Sequence, residues 1–297
     1  MSITKLLDKP MFIIGSPRSG TSLLRLVMTT HSQILIPPEC GFIIWLQKKY
    51  ADWNVSYNSD PVRVGGFLVD LFASKKFDTW LMDKDVIETQ IALHKPASFA
   101  ELCAVVYLAF GALTGKDFSV WGDKNNFYLN HIAKLQQLYD EARFLHIVRD
   151  DRDVACSYRE VMSANSSSPY APKLDTEISR IATEWSDNVT KVDSLLAAMP
   201  REAAMTIRYE DLVGSPRQTI SIVCNWLGVK FEGEMLNFHQ QNVKNKLEPE
   251  LTLDWKKRTL KPISDDTVGR YARLLNEEEL NRFLGIAEPA LLKFSYL

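Results

Sequence analysis

Three apolar runs and one weaker run punctuate a chain whose remaining pattern is mostly helical. Met-Phe-Ile-Ile at 11–14 is uninterrupted and stops at Gly15-Ser16-Pro17, which predicts a strand entering a turn. From Ser22 onward, Leu23, Leu24, Leu26, Val27 and Met28 fit a buried helix. Residues 41–115 are patterned largely as helices. Within them, Ser98 and Glu101 make a capping box ahead of Leu102, Val105, Val106, Leu108 and Ala109, and the helix should end near Gly111 or Gly115. Residues 118–121 suggest a short strand. Residues 144–148 (Phe-Leu-His-Ile-Val) predict a buried one, followed by a helix from Val154 through Cys156 and Ser157. The Ser-, Asn- and Pro-rich stretch 163–173 reads as an exposed loop. Ile178, Ile181, Trp185, Val189, Val192 and Leu196 recur at helical spacing and stop before Pro200. A strand over 204–209 and a helix over 216–227 closed by Gly228 come next. Residues 245–266 are polar and basic without a period, and Asn276 with Glu279 opens a last helix.

Strands alternating with helices predict an α/β fold with a central, mainly parallel sheet flanked by helices. Such sheets bind ligands beyond the carboxyl ends of their strands, so the polar residues after Ile14, Val148 and Arg208 are the place to look. The pattern shows no repeat and no linker, which predicts one domain over 1–297 with a helical insertion near 41–115.

Composition narrows the function classes. In 297 residues, 46% are hydrophobic and 24% charged, which excludes disordered and collagen-like chains. A net charge of -2 lacks the basic footprint of a nucleic-acid binder. Residues 1–10 do not read as a secretory leader, and no apolar run approaches the roughly 20 residues of a bilayer span, so a cytoplasmic chain without a membrane span is expected. Cys40, Cys103, Cys156 and Cys224 show no CxxC spacing, which argues against zinc and for buried thiols.

The most informative segment is Gly15-Ser16-Pro17-Arg18-Ser19-Gly20-Thr21-Ser22, between a strand and a helix. Glycines permit the tight turn that aims backbone N–H groups at an anion, and the helix adds its partial positive end. The spacing is close to the triphosphate loop G-x-x-x-x-G-K-[ST], but Thr21 stands at the lysine position and the cation is Arg18. Ser19, Thr21 and Ser22 offer hydroxyls. No strand ends in a lone acidic residue suited to magnesium, since the run at 144–148 ends in Arg149. The site therefore suits a 5′-phosphate bearing a transferable anion, without a required metal. A kinase or NTPase with an unusual loop is the alternative enzyme. A nucleotide-binding protein without turnover, or a plain strand–helix turn, are the non-enzymatic ones.

With GSPRSGTSLLR at the start, FLHIVRDDRDVACS in the middle and RYEDLV later, the chain resembles the sulfotransferases that use 3′-phosphoadenosine 5′-phosphosulfate (PAPS). It looks closest to the branch of tyrosylprotein and many bacterial sulfotransferases. The resemblance implies a P-loop-like three-layer fold and metal-independent transfer of a sulfuryl group from PAPS to an acceptor hydroxyl. By the same resemblance, Arg18, Ser19, Gly20, Thr21 and Ser22 hold the 5′-phosphosulfate, and Arg149 and Ser157 hold the 3′-phosphate. Tyr209 lies near the nucleotide. A basic residue among Lys256, Lys257, Arg258, Lys261 and Arg270, with Arg270 preferred, covers it. Glu39 is the base, and Lys124 with Arg18 offsets charge on the leaving phosphate. Plainer roles stay open for several of these. Glu39 could start a helix, Lys124 could pair with Asp123, and Arg149 could pair with Asp150 or Asp153. Tyr209 could be a core residue, and the basic run a solvated surface. Val161 stands where the tyrosylprotein branch has a further arginine, with Arg159 nearby pointing elsewhere on the helix. A small-molecule, lipid or carbohydrate acceptor is therefore favoured over protein tyrosine. The insertion near 41–115 would shape the acceptor side, where Trp45, Phe67, Phe72, Phe77 and Trp80, with Tyr170 from the later loop, suit either an apolar lining or a core.

Overall fold

Met11–Ile14 forms the first strand, β1, and all four of its side chains are buried, as a strand covered on both faces requires. The computed structural model describes residues 9–297; residues 1–8, where no secretory leader was read, lie outside the described residues. Four more strands follow: β2 (Ile34–Leu35), β3 (Val120–Lys124), β4 (Arg143–Val148) and β5 (Ala204–Arg208). They form the expected parallel sheet, in the spatial order β2-β3-β1-β4-β5. β2 pairs with β3 at Ile34–Val120 and Leu35–Trp121, and β4 pairs with β5 from Phe144–Ala204 to Val148–Arg208. The order reverses at β1. The loop leaving such a strand is where parallel sheets bind ligands, and here it leads into helix α1 (Thr21–Thr30).

The chain divides into two compact units, Met1–Phe12 with Met28–Arg143, and Ile13–Val27 with Phe144–Leu297. The first carries α2 (Phe42–Tyr50), α3 (Pro61–Phe72), α4 (Lys84–His94), α5 (Phe99–Thr114) and α6 (Ile132–Leu138). Asp60 caps α3 by accepting from the Val62 and Arg63 N–H groups, and Pro61 takes the first helical position, where no N–H is needed. Ser98 caps α5, while Glu101 reaches the N–H of Ala97 rather than that of Ser98, and Gly115 ends the helix in the left-handed conformation. The core of this unit is aromatic. Phe42 packs edge-on to Phe77 and Trp80, Trp80 to Tyr107, and Tyr107 lies 4.4 Å from Trp121. Such pairs add about 0.5–1.5 kcal/mol each beyond the area they bury.

The second unit carries α7 (Asp151–Ser163), α8 (Ile178–Ala197), α9 (Tyr209–Gly214), α10 (Pro216–Leu227), α11 (Phe238–Asn245), α12 (Tyr271–Leu274) and α13 (Glu277–Lys293). Ile178, Ile181, Trp185 and Val189 of α8 pack with Phe283, Ala287 and Leu291 of α13, and with Val148 and Val154. The Asn276–Glu279 capping box opens α13 with both hydrogen bonds made.

Three boundaries depart from the sequence reading. The strand expected over 118–121 runs over Val120–Lys124, because Asp123 and Lys124 are buried in the sheet despite their polarity. The helix expected from Val154 starts at Asp151, where the Asp150 carboxylate accepts from the Arg152 N–H. Tyr209 opens α9 instead of closing β5.

Candidate active site

In the second unit, the loop after β1 is shaped by close backbone approach. A Cβ on Gly15 would sit 2.6 Å from the Ile147 carbonyl oxygen, and one on Gly20 would sit 2.5 Å from the Tyr209 ring. Gly20 also has φ +97, a conformation that side chains oppose. Arg18 adopts φ +65 without being glycine, a strain of about 1–2 kcal/mol that the surrounding loop sustains. The Ser19 N–H donates to the Ser16 carbonyl at 3.2 Å, and the Gly20 carbonyl accepts from Leu24 as α1 begins. The N–H groups of Thr21 and Ser22 thus fall in the first turn, where no intrahelical acceptor exists.

Arginines gather on this loop. Arg18 Nε donates to Ser157 Oγ at 3.1 Å. Arg149 Nη1 donates to the Arg18 carbonyl at 3.2 Å, its Nη2 to the Thr267 carbonyl at 2.8 Å, and its guanidinium lies 4.4 Å over the Tyr209 ring. Tyr209 and Thr267 share a hydroxyl–hydroxyl hydrogen bond of 2.9 Å. Asp153 accepts from the Gly269 and Tyr271 N–H groups, which fixes the segment carrying Arg270, and Arg270 pairs with Glu160 at 2.8 Å. Burial first, then the charge of Arg149, push the Arg18 guanidinium down to about 10; Arg270 pushes the same way and Glu160 opposes. Ser19 Oγ, Arg149 Nε and Arg270 Nε are buried without a partner among the described residues. Mutually repelling cations beside orphaned donors are a site that an anion completes.

The structure therefore brings Arg18, Ser19, Gly20, Arg149, Ser157 and Tyr209 together. Among the described residues Arg149 makes no ion pair with Asp150, which instead holds Arg152 through its N–H and two side-chain hydrogen bonds, nor with Asp153, which serves backbone N–H groups and meets Arg149 only through its charge. Ser157, expected beside Arg149, is held by Arg18, whose carbonyl Arg149 also reaches. Among the basic candidates near the C-terminus, Arg270 joins the Arg18 cluster electrostatically. Lys256 is in a buried ion pair with Glu248, which also holds Arg25, and Arg258 is in an exposed pair with Asp266. Lys257 and Lys261 are exposed. Arg159 turns to Glu279 at 2.7 Å. Thr267, which contacts both Arg149 and Tyr209, escaped the sequence reading because it lies just past the stretch without a period and in no motif.

In the first unit, Glu39 and Lys124 meet. Lys124 Nζ lies 3.4 Å from Glu39 Oε2, and Lys76 Nζ lies 2.9 Å from the same oxygen. Glu39 does not cap α2, whose N-cap is Gly41 with no side-chain bond. Nor does Lys124 pair with Asp123, whose Oδ2 accepts from the Tyr107 and Tyr128 hydroxyls at 2.8 and 2.5 Å. Lys76 carried no sequence signal, being a surface-type residue outside the matched motifs. Of the aromatic residues considered for a lining, Phe67, Phe77 and Trp80 are core, whereas Trp45 is 43% exposed and stacks on Phe127 at 5.6 Å. His146 is a buried strand residue whose imidazole burial pushes down to about 4.

Two buried carboxyls stand out. Burial pushes Asp123 up to about 6, against the pull of its tyrosine partners. Burial also pushes Asp151 well up, and both its oxygens, with Ser16 Oγ and Trp185 Nε1, lack partners among the described residues. All three residues line one cavity of about 10 Å³, room for a single water. Because Asp123 binds its proton more tightly when folded, its contribution to stability is full below about pH 4 and is lost as pH rises toward 6. Thermal melts of wild type and Asp123→Asn should therefore diverge over this window, the variant losing less Tm as pH rises. Parallel curves would mean that Asp123 titrates normally.

Residues 10–233 match the model of the sulfotransferase family. Protein-tyrosine sulfotransferase 2 of Gallus gallus is 23% identical over 233 residues, covering 77% of this chain and 53% of that protein. Nodulation protein NoeE of Sinorhizobium fredii is 26% identical over 227 residues, covering 73% of this chain and 49% of that protein. The chain thus spans about half the length of these two curated relatives. The sulfotransferase domain from the Synechococcus olefin synthase shares its fold, with a TM-score of 0.53 at 20% identity over 91% of this chain and 95% of that one. The match runs from just before β1 past the end of α10, through the loop after β1, Glu39, Lys124, Arg149, Ser157 and Tyr209, and the chain belongs to the sulfotransferase family.

Proposed function

We propose that this chain transfers a sulfuryl group from PAPS to an acceptor hydroxyl, acting over its full length as one sulfotransferase domain. The observation that carries the reading is the cluster of Arg18, Arg149 and Arg270 at a strand–loop–helix turn, with buried donors still unsatisfied. Guanidiniums supply fixed positive charge to phosphate and sulfate oxygens, so the cluster needs no metal to neutralise them. Arg18 through Ser22 would hold the 5′-phosphosulfate. Arg149 and Ser157 would hold the 3′-phosphate, with Tyr209 and Arg270 beside the nucleotide. Glu39 would take the acceptor proton, a step that general bases accelerate by about 10²–10⁴-fold. Lys124 and Arg18 would offset charge as the bond to the leaving phosphate breaks.

For the acceptor, a small molecule, lipid or carbohydrate is favoured over protein tyrosine. Arg159 is engaged by Glu279, and Val161 provides no cation in its stead. The exposed indole of Trp45, in the first turn of the helix that follows Glu39, suits a ring or apolar body. Calorimetric titration tests the donor site. Adenosine 3′,5′-bisphosphate should bind without magnesium and more tightly than its 3′-hydroxyl analogue. Magnesium-dependent ATP binding with no heat from the bisphosphate would replace this reading with that of a kinase or NTPase.

A further inference from the structure

We propose that Lys76 is a positioning residue that clamps the Glu39 carboxylate for proton abstraction, an inference that rests on the reading of Glu39 as the base. The segment 75–80 grips 38–40 at three successive residues. Trp80 Nε1 donates to the Pro38 carbonyl at 2.9 Å. Lys76 Nζ donates to Glu39 Oε2 at 2.9 Å. Cys40 Sγ donates to the Lys75 carbonyl at 3.5 Å. The Trp80 bond holds the backbone just before Glu39, the Cys40 thiol ties the residue just after it to the Lys75 carbonyl, and the Lys76 ammonium holds the carboxylate itself.

The grip is rigid. Phe77 and Trp80, on the short 3₁₀ turn that follows Lys76, are almost fully buried in the aromatic core. Both the N–H and the hydroxyl of Thr79 donate to the Lys76 carbonyl, at 3.1 and 2.6 Å. Lys76 itself has φ +71, a left-handed conformation that disfavours any residue with a Cβ by about 1–2 kcal/mol and is relieved by glycine. A glycine would spare that strain but could not reach Glu39. Strain held at one residue whose side chain meets a reactive group points to a role for the side chain. With Lys124 on the same oxygen, two ammoniums fix the carboxylate from two elements, the turn at 76 and the end of β3.

Among the described residues, the charged and titratable groups near Glu39 in this unit include Lys76, Lys124, Asp123 and Cys40. The test changes the first and keeps the others. In the full chain labelled with [δ-¹³C]glutamate, the Glu39 carboxyl signal is assigned by its loss in Glu39→Gln and followed against pH. A cation at hydrogen-bond distance favours the ionised form. Lys76→Met should therefore move the Glu39 midpoint to higher pH by about one unit or more. Lys76→Arg should restore it, with bisphosphate affinity unchanged in both. An unmoved midpoint in Lys76→Met overturns the clamp. A moved midpoint together with a Glu39→Gln variant of undiminished turnover overturns the base reading and leaves the clamp standing.

Discussion

Replacing Glu39 with glutamine should lower turnover by on the order of a hundredfold or more while leaving bisphosphate affinity unchanged. Glutamine keeps the size and the hydrogen-bonding oxygen that meets Lys76 and Lys124, but it cannot take a proton. The loss should therefore fall on turnover and not on donor binding, as expected for an interaction used in the transition state alone. Labelled PAPS, with the best acceptor from a panel of phenols, sugars and aliphatic alcohols, measures it. Turnover equal to wild type would remove Glu39 from the chemistry and leave it as an ion-pair partner.

Arg149→Ala should weaken adenosine 3′,5′-bisphosphate by about ten- to a hundredfold, since hydrogen bonds to charged groups are worth about 1.5–3 kcal/mol. The 3′-hydroxyl analogue should lose far less. Arg149 has a second task in the structure, because it ties the Arg18 carbonyl to the Thr267 carbonyl. Losing that tie would loosen the phosphate loop for any nucleotide. Paired calorimetric titrations separate the two effects. Equal losses for both ligands would make Arg149 a prop for the loop and place the 3′-phosphate elsewhere.

Most of the loop after β1, with its arginine cluster, was legible because its signals are local. Gly15, Gly20 and the helix after them occupy one short stretch, and their backbone demands leave few other residue types possible. Arg149 and Ser157 were legible as candidates through a strand end and a position about two helical turns further on. The partners were not. That Arg18 meets Ser157 and that Arg149 lies on Tyr209 depend on contacts 139 and 60 residues apart in sequence, which no periodicity carries. Lys76 was hidden for the same reason, since a lysine in a polar stretch has the pattern of a solvated residue. The parallel sheet was readable from its three strong apolar runs. β2 was not, because two residues are too short to show a period. β3 was misplaced because Asp123 and Lys124 look like loop residues until Tyr107, Tyr128 and Glu39 are seen to satisfy them.

Asp151 carries a consequence beyond its cavity. Burial, with the charges of Asp150 and Glu184 behind it, makes its carboxyl keep a proton to higher pH than an exposed aspartate would. Wherever the pH lies between the midpoints of the exposed and the buried carboxyl, folding draws a proton from the medium onto this residue. The heat of folding must then include the ionisation heat of whatever buffer gives that proton up.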